Sequence, residues 1–137
     1  MTLTDILGKI AEKSIYANGR HVDAANAMAQ ELSRKNLDYK FAIIHFTGSN
    51  YGNGIMSNKY GSTKYISDNG HHVGINYKGR VICNIHPNGL VLNAWFNDFS
   101  GLGVKYNVLA SSYKSRTQII ALIAANQVFP NVINNLP

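Results

Sequence analysis

Two apolar segments held apart by two residues constrain this chain more than any other feature. Residues 72–77 (HVGINY) and 80–85 (RVICNI) flank Lys78-Gly79. A two-residue link ending in glycine fits the tight turn of a β-hairpin, whose backbone needs positive φ. An isolated hairpin is marginal in water, so further strands or a helix must cover it. With the turn at Lys78-Gly79, Tyr77 opposes Arg80, Ile75 opposes Ile82 and Val73 opposes Asn84.

The rest of the chain supplies that cover. Leu3, Ile6, Leu7 and Ile10 recur at helical spacing, and Thr2 or Thr4 can cap the helix. Asn18-Gly19 marks a stop. A second helix follows, with Asp23 as the expected N-cap and Ala24, Ala25, Ala27, Met28, Ala29 and Leu32 as its apolar stripe. Ser33-Arg34-Lys35 places positive charge in its last turn, where the dipole favours it. So many alanines predict close packing on a flat surface. Residues 39–46 (YKFAIIHF) read as a buried strand. Residues 47–68 read as a long polar loop with a short strand at 64–66. Asn69-Gly70 and Pro87-Asn88-Gly89 read as turns. Residues 91–99 form a short amphipathic segment carrying Trp95 and Phe96, and 104–109 a last strand. Residues 117–128 read as an apolar C-terminal helix and 131–137 as a loose tail. This order predicts an α+β domain, with N-terminal helices packed on a small antiparallel sheet.

Composition narrows the class. A chain of 137 residues makes one domain. It is 45% hydrophobic and only 15% charged, which excludes a charge-rich disordered tail. Its longest fully apolar run, 119–125, is far too short for a membrane span. Residues 1–13 lack the apolar core of a secretory signal. Thirteen basic residues against seven acidic give a net charge of +6. That balance attracts phosphates, anionic lipid or acidic proteins. The basic residues are scattered, so no segment reads as a nucleic-acid arm, and nucleic acid is not the expected partner. Cys83 is the sole cysteine, so neither an intramolecular disulfide nor a cysteine zinc site can form.

Chemistry has five histidines to draw on: His21, His45, His71, His72 and His86. Adjacent residues of a strand face opposite ways, so one of His71 and His72 is expected inside and the other in solvent. Gly74 is expected to leave open space beside His72. A histidine and an asparagine on neighbouring strands can form the base and orienter of a cysteine hydrolase, with Asn84 fixing the imidazole of His72. Taken alone, His72 reads more plainly as a surface histidine and Asn84 as a strand-end residue. His71, His72 and His86 could approach one another, but no metal-ligand spacing such as HExxH is present. No phosphate loop occurs. Neither a metal nor a cofactor is implied.

The run Ile66-Ser67-Asp68-Asn69-Gly70-His71-His72-Val73-Gly74-Ile75, then Gly79-Arg80-Val81-Ile82-Cys83-Asn84-Ile85-His86-Pro87-Asn88-Gly89-Leu90, then Trp95 and Phe99, resembles the papain-fold toxin domains of bacterial polymorphic toxin systems. In that family N-G-x-H-x-x-V precedes a glycine turn, V-x-D-N-x-H-P-x-G and a tryptophan. The resemblance implies a papain-like core and a cysteine nucleophile opening an alanine-rich helix. The matching run here is Ala24-Ala25-Asn26-Ala27-Met28, so the cysteine position falls on Ala24. Alanine cannot attack a carbonyl. Either the nucleophile has been replaced to silence a lethal enzyme, or this is a natural variant without hydrolase activity. The retained surrounding segment favours the first. A thiol at a helix start gains from the dipole, which lowers its pKa, and from free N–H groups able to hold an oxyanion. His72 is then the base and Asn84 its orienter. Cys83 stands where the family usually has Asp, and reads as a buried structural thiol.

The resemblance further implies a C-terminal effector domain of a larger secreted protein, 1–137 being that single domain. It implies contact-dependent delivery into the cytoplasm of a competing bacterium, a protein target there, and a cognate immunity protein. Peptidase, deamidase and transamidase chemistry all pass through a thioester and all fit. Two other readings remain: a metal-free ribonuclease toxin using histidines, and a non-catalytic binding module.

Overall fold

The computed structural model describes residues 2–17, 19–49, 54–61, 64–67 and 70–110. The expected helix at 117–128, the tail at 131–137, Asn18 and Asn69 of the expected turns, and residues 50–53, 62, 63 and 68 of the expected loop lie outside the described residues.

Helix α1 spans Leu3–Ala11. The Thr2 hydroxyl accepts from the Asp5 N–H at 3.1 Å and the Asp5 carboxylate accepts from the Thr2 N–H at 3.0 Å, a reciprocal cap. Helix α2 spans His21–Arg34, so it starts before Asp23, with Arg20 as N-cap. Asp23 instead lies in the first turn, 2.7 Å from the Arg20 guanidinium. The dipole rewards a carboxylate anywhere in that turn. Asp23 therefore signals the helix start without fixing its residue.

Strands β1 (Lys40–Thr47), β2 (Ile55–Ser57), β3 (His71–Tyr77), β4 (Arg80–Ile82) and β5 (Leu90–Val91) precede helix α3 (Leu92–Asp98). Strands β6 (Phe99–Gly101) and β7 (Val104–Ala110) follow it. The main sheet has the order β5-β4-β3-β1-β7, and β2 pairs with β6 in a second small sheet. The described pairs are antiparallel. The fold is α+β, as the sequence predicts. The loop expected over 47–68 holds β2, and the bridge seen near its end joins Ile55 to Ser67.

The hairpin forms where expected. Lys78 and Gly79 have φ of 52° and 86°, the twist that a two-residue β-hairpin turn requires. Ile75 opposes Ile82 and Tyr77 opposes Arg80. The described ladder ends there, so the expected Val73–Asn84 pairing does not follow. Beyond Ile82 the chain closes on itself: the Cys83 and Gly89 N–H groups both donate to the His86 carbonyl, at 3.3 Å and 3.0 Å. Pro87 has no N–H to give to a ladder.

Both faces of the sheet are covered. On one, Leu7, Ala25, Met28 and Leu32 pack against Phe41, Ile43, Val73 and Ile75. On the other, Trp95, Phe96 and Phe99 pack against Ala42, Ile44, Val81 and Cys83. This overturns the expectation of one buried and one solvated histidine, because His71 and His72 are both fully buried. It also overturns the open space beside His72. A Cβ on Gly74 would lie 2.8 Å from Val81 Cγ1 and 3.1 Å from Trp95 Cζ2. That glycine admits the indole, not a substrate. Gly8 likewise lets α1 approach the turn after β4: a Cβ there would lie 2.4 Å from the Pro87 carbonyl oxygen.

Candidate functional site

The N-terminus of α2 meets the start of β3. The α2 stripe of Met28 and Leu32 runs back through Ala24 and Ala25 to His21, the first residue of the helix. The His21 ring lies 5.0 Å from the His72 ring and 5.2 Å from the His71 ring, centroid to centroid. All three imidazoles are buried. Sequence reasoning did not single out His21 for the site. Extending the apolar stripe one turn toward the N-terminus would have pointed to it.

His72 is gripped by rings. Trp95 stacks on it at 5.7 Å with 24° between planes, and Phe99 lies at 4.8 Å. Neither ring nitrogen of His72 has a hydrogen-bond partner among the described residues. Burial, reinforced by His21, His86 and His71, holds its pKa well below the ordinary imidazole value. The ring is therefore neutral at pH 7.

Ala24 is fully buried, one helical turn after His21 on the same side of α2. Its N–H donates to the Arg20 carbonyl at 3.1 Å, closing the helix's first turn. That N–H is committed, so the donors expected for an oxyanion belong to residues before it. Asn84 lies beyond the end of β4. Its Nδ2 donates to the Tyr16 carbonyl at 2.8 Å, tying the turn after β4 to the segment before α2. Its Oδ1 is buried without a partner among the described residues. Cys83 is buried, and burial pushes its thiol pKa up. Its Sγ accepts from Trp95 Nε1 at 3.3 Å and from the His86 N–H at 3.4 Å.

The fourth histidine of this region, His86, is held differently. Its Nε2 lies 2.8 Å from Asp98 Oδ2, which also accepts from the Ser57 hydroxyl. The Phe99 ring separates the two groups, 4.8 Å from His72 and 5.8 Å from His86. His45 opposes His71 across the β1–β3 ladder, and its partial burial lowers its pKa. Among the described residues no group of three or more His, Cys, Asp or Glu side chains is arranged to hold a metal ion. No described helix is long and apolar enough to cross a membrane.

A family model described as papain fold toxin 2 matches residues 3–100. That span runs from α1 into β6 and contains His21, Ala24, His72, Asn84 and the His86–Asp98 pair. No curated protein and no solved structure matches the chain.

Proposed function

Since this chain belongs to the papain fold toxin 2 family, we propose that it is an antibacterial effector domain built for thiol–imidazole chemistry at the junction of α2 and β3. Ala24 stands at the thiol's position in this reading, and the chain as written is inactive. A cysteine there gives its proton to His72 and attacks a carbonyl or carboxamide carbon. His72 then protonates the departing amine, and water or another amine resolves the thioester. Asn84 is the candidate orienter of the site. Delivery into a recipient cell, a protein target and a cognate immunity protein belong to the same reading.

The observation that carries it is the contact of the helix start with the double-histidine strand, His21 to His72 at 5.0 Å. A helix start with an imidazole against it is a setting in which a thiol is activated, because the dipole and the imidazolium formed on proton transfer both favour the thiolate. Expression of Ala24→Cys in a strain lacking any immunity protein should arrest growth, and adding His72→Ala should restore it. Undiminished growth with Ala24→Cys contradicts the proposal. RNA breakdown by the unaltered chain would point to the ribonuclease reading instead, since that chemistry needs no thiol.

A second position for the thiol rests on a specific observation. The α2 side chain in ring contact with His72 belongs to residue 21, whereas Ala24 lies one turn further along. His21→Cys is therefore the second variant to express. Toxicity from it, with none from Ala24→Cys, moves the thiol position to the first residue of the helix.

A further inference from the structure

A base must be held facing its thiol, and the His72 imidazole has no hydrogen-bond partner on either nitrogen among the described residues. Its direction is therefore set by the rings around it. The His21 and Phe99 planes are tilted from it by 55° and 45°. Trp95 is the ring that stacks, 24° from parallel. Tilted neighbours confine the imidazole, whereas a stacked one also sets its plane.

The indole of Trp95 is itself held at several points. One edge enters the space that Gly74 leaves, where a Cβ would lie 3.1 Å from Cζ2. Phe96 and Phe99 meet it edge-on, at 5.5 Å and 5.0 Å between centroids. Its single polar group, Nε1–H, donates to Cys83 Sγ at 3.3 Å. An indole nitrogen only donates, so the place of its acceptor decides which way the buried ring is turned. The sulfur is fixed in its turn. It accepts from the His86 N–H at 3.4 Å, and the Cys83 N–H donates to the His86 carbonyl at 3.3 Å. Burial pushes the Cys83 pKa up, so the group is a neutral thiol at pH 7 and serves as an acceptor, not as a nucleophile. The next residue, Asn84, reaches the other way and holds the Tyr16 carbonyl before α2. Two neighbours in one turn thus brace the two halves of the α2–β3 junction.

We propose that Cys83 is a positioning residue of that junction: its sulfur fixes the indole of Trp95, and the stacked indole fixes the plane of the His72 imidazole. The proposal rests on the reading of His72 as the base, while Asn84 orients the site by holding the helix start. The link from sulfur to imidazole is present in the unaltered chain and needs no thiol on α2.

NMR of the unaltered chain at pH 7 tests the link. Trp95 is the sole tryptophan, so one indole N–H resonance reports on it. The stacked indole should displace the His72 ring protons upfield and show cross-relaxation with them. Cys83→Ala should lose most of both signals. Cys83→Ser, which keeps an acceptor, should restore them, while the His45 ring, which lies against Tyr106, stays unmoved throughout. Trp95→Phe removes the same N–H and serves if Cys83→Ala fails to fold. In that background Cys83→Ser should move the His72 ring no further, because the coupling has already been cut. In Ala24→Cys, adding Cys83→Ala should relieve growth arrest and Cys83→Ser should bring it back. An unmoved His72 ring in folded Cys83→Ala, no recovery in Cys83→Ser, or a His72 ring as sensitive to residue 83 with Phe at 95 as with Trp would overturn the proposal. So would arrest that persists in Ala24→Cys with Cys83→Ala although the stacking signals are lost. Undiminished growth with Ala24→Cys alone strikes the thiol reading, whereas the NMR comparison decides the link by itself.

Discussion

Phe99 divides two ways of keeping an imidazole. On one side His72 is buried among His21, Trp95 and Phe99, with no hydrogen bond on either nitrogen among the described residues. On the other, His86 is mostly buried but pinned to Asp98 at 2.8 Å, beside an open groove. The first arrangement forces the ring to be neutral by desolvation. The second fixes the ring's direction with a carboxylate. A buried, unpaired polar ring costs stability, so the core around His72 must stabilise enough to offset it. A thiol placed beside that ring would draw on the helix dipole and on the imidazolium formed when the proton moves.

The contrast can be broken from the aromatic side first. Trp95 is fully buried and touches His72, Phe96 and Phe99. Trp95→Ala should cost about 3–5 kcal/mol in chemical denaturation. It should also let solvent reach His72, read as a rise in that ring's titration midpoint. The next effect lies between the two groups. Cys83→Ala leaves the Trp95 Nε1–H and the His86 N–H without their sulfur acceptor and should cost about 1–3 kcal/mol.

Acid tests the buried ring directly. The unfolded chain's histidines bind protons near pH 6.5, whereas folded His72 resists until well below that. Stability is therefore full above about pH 6.5 and falls as pH drops toward the depressed folded value, by at most about 1.4 kcal/mol per pH unit for this ring. Half-buried His45 adds in the same direction. Denaturation midpoints at pH 7.5 and 5.5 should differ, and His72→Gln should reduce the difference. The smallest effect belongs to the accessible pair. Asp98→Asn keeps an acceptor for His86 but removes its charge, and should cost about 1 kcal/mol in the same denaturation assay.

The sequence carries the local signals of this fold and hides the distant ones. The turn at Lys78-Gly79, the cap at Thr2 and the buried strand of residues 39–46 rest on neighbours in the chain, and all three appear. The pairing of β2 with β6 and the meeting of Ser57, His86 and Asp98 join residues far apart, so no period or spacing announces them. The alternation rule places His71 and His72 on opposite faces correctly, but it says nothing about whether both faces are covered. Gly74 looks like open space in the sequence because the indole of Trp95 that fills it arrives from another element. Asn84 reads as a partner of His72 only if β4 continues, and the turn closed on the His86 carbonyl stops it. His21 was hidden by taking Asp23 as the start of α2, although it closes the same apolar stripe.

The direct test of the account is the titration of a thiol introduced at the start of α2, followed by thiolate absorbance with and without His72, because residues 21 and 24 are as buried as Cys83 and closed to an alkylating reagent. For Ala24→Cys, with His21→Cys beside it, the account predicts a thiolate midpoint well below the ordinary thiol value of about 8.5, shifted back in His72→Asn, while Cys83, whose pKa burial pushes up, stays protonated in that range. Two introduced thiols that titrate like free cysteine, indifferent to His72, would contradict it.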